Sequence, residues 1–346
     1  MSDQTTRSGI LPDAVVEFKD IAVVIGVLAV LPIIFDTTGT YQLRLLNQFL
    51  VFAAFAVALN IAFGHTDQLF LFVGAVAGVG AYTTAILADI LGLTPWITFP
   101  LAGVAAGIIG LIVSYVAARR KMTVIVIAIL TLSIQMAISE IFVGAGDITG
   151  GTTGMPFNGL EIPILVDAIG ISPQMATYYL LAAFLTIVFL LYKWMMNSKY
   201  GLAFKAIRQD EIASEAVGIN VIKYKVVAGV TAAVIIGLVG PLYAQTERYI
   251  FPAMFSFQAV DVLVLIMLVL GGIRTFYGPL FGAALIIYIN HLLEDAGQWR
   301  TAVLGALLIV LFIYFREGMV PKVESFWETK SVQRIVSSIS KRFPNQ

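Results

Sequence analysis

The run PWITFPLAGVAAGIIGLIVSYVAA, Pro95 to Ala118, holds 24 residues without a charge and ends against the triplet Arg119-Arg120-Lys121. A helix of roughly 20 apolar residues crosses the ~30 Å hydrocarbon of a bilayer, so this stretch is long enough to span. The basic triplet also gives it a direction, because loops rich in Lys and Arg stay on the cytoplasmic side.

Working outward, similar runs bounded by charge, Gly or Pro cover most of the chain. Upstream lie Ile21 to Phe35, Leu45 to Phe63 and Gln68 to Leu91. Downstream lie Met122 to Val143, Ala176 to Met196, Val226 to Gln245, Val260 to Leu270, Leu280 to Asn290 and Thr301 to Phe315. The expected fold is therefore an all-α polytopic membrane protein of about ten transmembrane or half-membrane helices. The two runs flanking Gly271 to Pro279 are short, which fits either tilted helices or two half-helices meeting at a break. With both termini placed in the cytoplasm, 18 of the 21 Lys and Arg fall inside and only Arg44, Arg248 and Arg300 fall outside. A missed or invented crossing would mix the sides. The stretch Gly144 to Gln174 carries no Lys or Arg, as an external loop should.

On this pattern residues 1–20 form a cytoplasmic N-terminal segment with no cleavable signal. Residues 21–320 form a transmembrane domain carrying a cytoplasmic segment over 197–225, and 321–346 form a cytoplasmic amphipathic tail. In the tail, Val332, Ile335, Val336, Ile339 and Phe343 recur at helical spacing among Lys330, Arg334, Lys341 and Arg342. Both a helix on the inner leaflet and a solvated, frayed terminus fit that pattern.

Composition agrees and excludes other classes. Apolar residues make up 59% of the 346 and charged ones 12%, with a mean hydropathy of +0.93. About 25% charge is usual in a soluble domain, so this chain cannot cover a soluble surface. A soluble enzyme, a nucleic-acid binder and a disordered regulator are excluded together. The 21 basic and 21 acidic residues balance, and there is no Cys and only two His. Thiolate chemistry is excluded, and little remains for a metal centre.

The most unusual polar stretch is Ser198 to Lys225. Helix-forming residues run to Val217, and Gly218 supplies a stop. Ala203, Ala206, Ile207, Ile212, Ala213 and Ala216 can share one apolar face for a partner to receive, or the segment can simply cap a loop. Elsewhere, Gly74, Gly78 and Ala81, with Ala77 and Ala85, put small residues on one helical face, suited to close helix packing or to a passing solute. Gly271, Gly272, Gly278 and Pro279 can end one half-helix and begin another, or form a tight inner turn that Arg274 favours. Polar residues inside the membrane are costly and so mark candidates: Asn60, Asp67, Gln135, Glu140, Asp261 and Asn290. His65 and His291 fall on opposite sides in this topology, which separates the two histidines.

Four motifs in order along the chain carry a resemblance. Asn60-Ile-Ala-Phe-Gly64, Gln68-Leu69 and Gly78-Val-Gly-Ala-Tyr82 form an early glycine-rich segment, and Thr149-Gly-Gly-Thr-Thr-Gly-Met155 an external one. Ala206 to Glu211 followed by Glu215-Ala-Val-Gly-Ile-Asn220 forms the third, and Gly271 to Ala284 the glycine-proline break. Over roughly Leu45 to Phe315 the chain resembles the permeases of ABC importers for branched-chain amino acids, in the M-type branch. The resemblance implies a multi-pass protein of the cell membrane and a transport subunit rather than an enzyme. It implies as partners a second, H-type permease, two ABC ATPase subunits, an external solute-binding protein and the lipid bilayer, with no nucleic acid.

ATP and Mg are then used by the ATPases, and this chain, which has no Gly-x-x-x-x-Gly-Lys-Ser/Thr, binds no cofactor and no metal. The residues implied for coupling are Lys205, Arg208, Asp210, Glu211, Glu215, Ala216, Gly218 and Asn220. Candidates for the translocation path are Asn60, Gln68, Gly74, Gly78, Tyr82, Gln135, Gly271 and Gly272. Phe70, Phe72 and Val73 stand where the family usually has Ser and Gly-His, and Asp67 and Arg274 stand where Gly is common. Those departures leave importers of urea or short amides as the neighbouring substrate class. An ion-coupled secondary transporter is the rival from another class, and an intramembrane hydrolase ranks below both.

Overall fold

The computed structural model describes residues 25–26, 28–32, 40–157, 159–160, 170–293, 297, 299, 302–303, 305–306, 309, 313 and 318–319. Expectations for residues 1–20, for most of the first and last apolar runs, for the tail and for the sides of the two termini lie outside the described residues.

Helices dominate, in the order α1 Thr40–Leu59, α2 Val73–Leu91, α3 Pro95–Arg119, α4 Val124–Gly144, α5 Gly146–Thr149, α6 Pro173–Met196, α7 Lys199–Gln209, α8 Glu211–Ala216, α9 Val221–Glu247, α10 Val262–Gly271 and α11 Gly278–Leu292. Two short strands, β1 Met155–Pro156 and β2 Tyr249–Ile250, pair antiparallel at one end of the bundle. Among the described residues six helices are long and apolar enough to cross a membrane: α1 with its extension to Gly64, α2, α3, α4, α6 and α9. Two shorter apolar helices, Phe257–Gly271 and Gly278–Leu292, follow. The chain is a multi-pass, helical membrane protein.

Local chemistry sets the helix ends. Pro95 opens α3 after extended Thr94, and Arg119 closes it where a cation favours the carbonyl end. Ser172 caps α6 by accepting from the Met175 N–H, with Pro173 in the first turn. The third apolar run was expected to be helical from Gln68, yet α2 begins only at Val73. α1 runs into a π-helical turn, Asn60–Gly64, and the chain then reverses at Asp67, whose φ of 53° is left-handed. Residues 67–72 continue non-helically with Phe70 and Phe72 fully buried. The pull that keeps this segment out of a helix is tertiary: the Leu71 N–H donates to the Thr131 hydroxyl, and the Gln68 amide donates to the Lys225 carbonyl.

The core lies where α1, α2, α3 and α9 meet. Gly80 of α2 rests on the Gly237 carbonyl and Gly240 of α9 on the Ala77 carbonyl, so a side chain at either would strike the facing backbone. Small residues that let backbones touch are how membrane helices associate where lipid removes the hydrophobic drive between them. The break at Gly271 to Pro279 is a tight turn between two helices packed side by side, with Gly271 against the Gly278 carbonyl and Gly282 against the Met267 carbonyl. Gly318 returns to this end and packs on Gly272.

Candidate functional site

Three groups of residues gather the sequence candidates. The first is the hydrophilic segment between α6 and α9. Ser198 caps α7, and Asp210 ends it while capping α8 by accepting from the Ile212 and Ala213 N–H groups. Gly218, at φ 88°, lets the chain leave α8, and the Asn220 carboxamide oxygen caps α9 through the Lys223 N–H. Asp210, Gly218 and Asn220 thus hold the shape of the segment. Glu211 pairs with the buried Lys225 of α9, and Glu215 pairs with Lys121, just beyond α3, at 2.8 Å. The hydrogen bond and charge of Glu215 hold the Lys121 pKa above its ordinary value. Lys205, Arg208 and Ala216 are exposed.

The single apolar face that the spacing allowed does not form. The break at Asp210 changes the helical register, so Ala203, Phe204 and Ile207 turn inward while Ile212 and Val217 stand 75% and 77% exposed. What the segment offers outward is the short knob of α8, with Leu202, Lys205 and Arg208 of α7 exposed beside it in the chain. Lys121 and Lys225 escaped the sequence reading of coupling residues, because their acidic partners lie 94 and 14 positions away and nothing local marks either pair.

The second group is a junction at the same end. The Asn60 amide donates to the Thr275 carbonyl at 3.1 Å and to the Tyr192 hydroxyl at 3.2 Å, while its oxygen accepts from the Arg274 N–H at 2.8 Å. Arg274, at φ 74°, sends its Nε to the Gly64 carbonyl and its guanidinium to Asp67 at 3.6 Å. The Tyr192 hydroxyl also meets His65 Nε2 at 2.8 Å. Asn60 therefore ties the π turn of α1 to the turn that follows Gly271 and Gly272 and precedes α11. Gln68 is fully buried nearby in the chain and donates to Thr66 and to the Lys225 carbonyl, both at 2.8 Å. Burial first, then the charges of Arg208, Arg274 and Lys205, lowers the His65 pKa to about 4. His65 lies just beyond the end of its span.

The third group lies where α2 starts. Asp261, 1% exposed, accepts from the Val73 N–H at 2.6 Å and the Gly74 N–H at 3.2 Å. Gln135 accepts from the Ala75 N–H at 2.5 Å and donates to the Phe255 carbonyl at 2.8 Å. Gly74 lies against that same carbonyl, and Gly78 against the rings of Phe142 and Phe255. The Tyr82 ring stacks 4.6 Å from Phe142 and 6.5 Å from Phe255. Gly74, Gly78, Tyr82 and Gln135 are thus assembled together, apart from the junction at Asn60. Asp261 and the two phenylalanines complete the group. Asp261 stood out only as a costly intramembrane carboxylate, since its partners are some 188 positions distant. Glu140 is exposed near the end of α4, and Asn290 is half-buried near the end of α11. Among the described residues no three His, Asp or Glu gather as a metal site would require.

The model of a protein family described as branched-chain amino acid transport system / permease component matches residues 41–313. The high-affinity branched-chain amino acid transport system permease protein LivM of Salmonella typhimurium is 26% identical over 304 residues, covering 82% of this chain and 71% of that one. LivM of Escherichia coli K12 is likewise 26% identical, covering 82% and 70%. A probable branched-chain amino acid transport permease protein LivH of Methanocaldococcus jannaschii is 23% identical, covering 82% and 91%. No solved structure matches the chain.

Proposed function

This chain belongs to the branched-chain amino acid transport system permease family, and on that premise we propose that it is one of two membrane subunits of an ATP-driven importer of leucine, isoleucine and valine. A second, H-type permease completes the path. Two ABC ATPase subunits sit at the end bearing Lys121, α7, α8 and Arg274, which faces the cytoplasm. An external binding protein delivers solute to the end bearing the β1–β2 ribbon. Hydrolysis of MgATP belongs to the ATPases.

The observation that carries this reading is the exposed knob of α8. A six-residue helix with Ile212 on it and Val217 at its end, both strongly exposed, buries little against its own chain, yet the cap at Asp210 and ion pairs at both Glu211 and Glu215 hold it in place. Such an element is built to be gripped. Movement of α8 would reach α9 through Glu211 and Lys225, and the end of α3 through Glu215 and Lys121. Those two helices pack closely through small residues, so they would tilt as a pair.

Co-purification with the ATPase subunits tests the reading, comparing the wild type with a Glu215→Arg, Gly218→Trp double variant. The wild type is expected to retain the ATPases and the folded variant to lose them. A wild type that purifies alone and takes up leucine on a sodium or proton gradient without ATP would overturn it.

A further inference from the structure

The cluster at the start of α2 combines three features. Three successive backbone N–H groups, of Val73, Gly74 and Ala75, open a 19-residue helix inside the protein, and they are held by the side chains of Asp261 and Gln135. An anion is favoured at such a helix start, where unpaired N–H groups and the helix dipole act together. The wall beside it is aromatic and free of intervening side chains, because Gly74 and Gly78 face Phe142 and Phe255 directly. The third feature is the Tyr82 hydroxyl: the residue is 3% exposed, and this oxygen has no hydrogen-bond partner among the described residues. Helical side chains lean toward the N-terminus, which carries the Tyr82 ring back over the turn of Gly78 and onto the same phenylalanines.

A buried polar group without a partner is costly, and a buried carboxylate more so. We infer that this cluster is the closed form of a transit site for a zwitterionic α-amino acid. The substrate carboxylate takes the N–H groups of Val73 and Gly74 that Asp261 now holds, and the freed Asp261 receives the substrate ammonium. The branched side chain lies against Phe142 and Phe255, and the Tyr82 hydroxyl gains a partner. A zwitterion brings one charge of each sign, so the net charge of the site does not change as it enters. Urea and simple amides lack the carboxylate that would displace Asp261, so the site separates the two substrate classes that the sequence leaves open. Discontinuous helices whose ends meet a solute at membrane depth are an established way to bind it there.

The inference rests on the importer reading, and its test keeps the two apart. The complete transporter, reconstituted with its ATPases and binding protein, is loaded with a photoreactive diazirine analogue of leucine, illuminated and mapped by peptide mass spectrometry. Labels are expected on the peptides holding Gly74 to Tyr82, Phe142 or Phe255, and excess leucine should remove them. Asp261→Asn keeps an oxygen to cap α2 but loses the charge that receives the ammonium. Its leucine uptake is expected to fall at least tenfold, while ATP hydrolysis stimulated by the loaded binding protein persists. Labels on other helices in a wild type that imports leucine, or unchanged uptake by Asp261→Asn, would overturn the transit site and leave the importer standing. A wild type with no ATP-dependent leucine uptake would overturn the importer itself. Should Asp261→Asn not assemble, the wild-type label map decides alone.

Discussion

The junction at Asn60 and the cluster at Asp261 are both places where a helix is interrupted inside the protein, and they treat their polar groups in opposite ways. At Asn60 the interruption is closed by neutral groups, with both ends of the carboxamide used and the neighbouring Arg274 charge half-exposed beside Asp67. At Asp261 a carboxyl group is buried and a tyrosine hydroxyl goes unanswered close by. A carboxamide with all its groups used, as at Asn60, rigidifies what it ties, even though the Gln68 Oε1 close by in the chain is itself buried without a partner, whereas an unpartnered hydroxyl beside a buried carboxyl calls for an explanation. The first reads as scaffold and the second as a moving part.

The largest effect that would sharpen this contrast is expected from Asn60→Leu. It strips partners from the Thr275 carbonyl, the Arg274 N–H and the Tyr192 hydroxyl at once, at a cost of roughly 3–5 kcal/mol. Thermal unfolding in detergent should show it, and a variant as stable as the wild type would break the scaffold reading.

A pH titration comes next. The folded pKa of His65, about 4, lies below the ordinary 6.5, so the unfolded chain binds the proton more tightly. The contribution of this histidine is then complete above about 6.5 and is lost as pH falls toward 4, up to roughly 3 kcal/mol in all. His65→Gln should flatten melting temperature against pH in that window. An unchanged slope would show that His65 does not control it.

The smallest effects come from one substitution made twice. Tyr192→Phe removes a hydroxyl bonded to Asn60 and His65 and should cost about 1–3 kcal/mol. Tyr82→Phe removes one with no partner, so stability should hold or rise by up to about 1 kcal/mol. Equal losses at both positions would dissolve the distinction between the two regions.

Hydropathy located the long spans well, because a run such as Pro95 to Ala118 has no other way to bury its backbone in lipid. It placed the start of α2 five residues early. Gln68 to Phe72 is as apolar as a helix interior, and what keeps it out of a helix is Thr131 and the Lys225 carbonyl, 60 and 157 positions away. In the segment between α6 and α9, Asp210 followed by Glu-Ile-Ala is a legible cap, and reading it would have split the apolar face into its buried and exposed halves. Candidate path residues were legible as types, glycine and intramembrane amide. Their division into two separate sites was not, since that depends on which distant loop each one meets.

The helices of the pair around the Gly272 turn, Phe257–Gly271 and Gly278–Leu292, have about 15 residues each. At 1.5 Å per residue each reaches only about 22 Å, several ångströms less than the hydrocarbon around it. Their glycine-to-carbonyl contacts fix them against each other, so neither can slide to gain length. A bilayer crossed by a pair this short would have to thin beside it or yield its place to another subunit, at fractions of a kcal/mol for each ångström of mismatch.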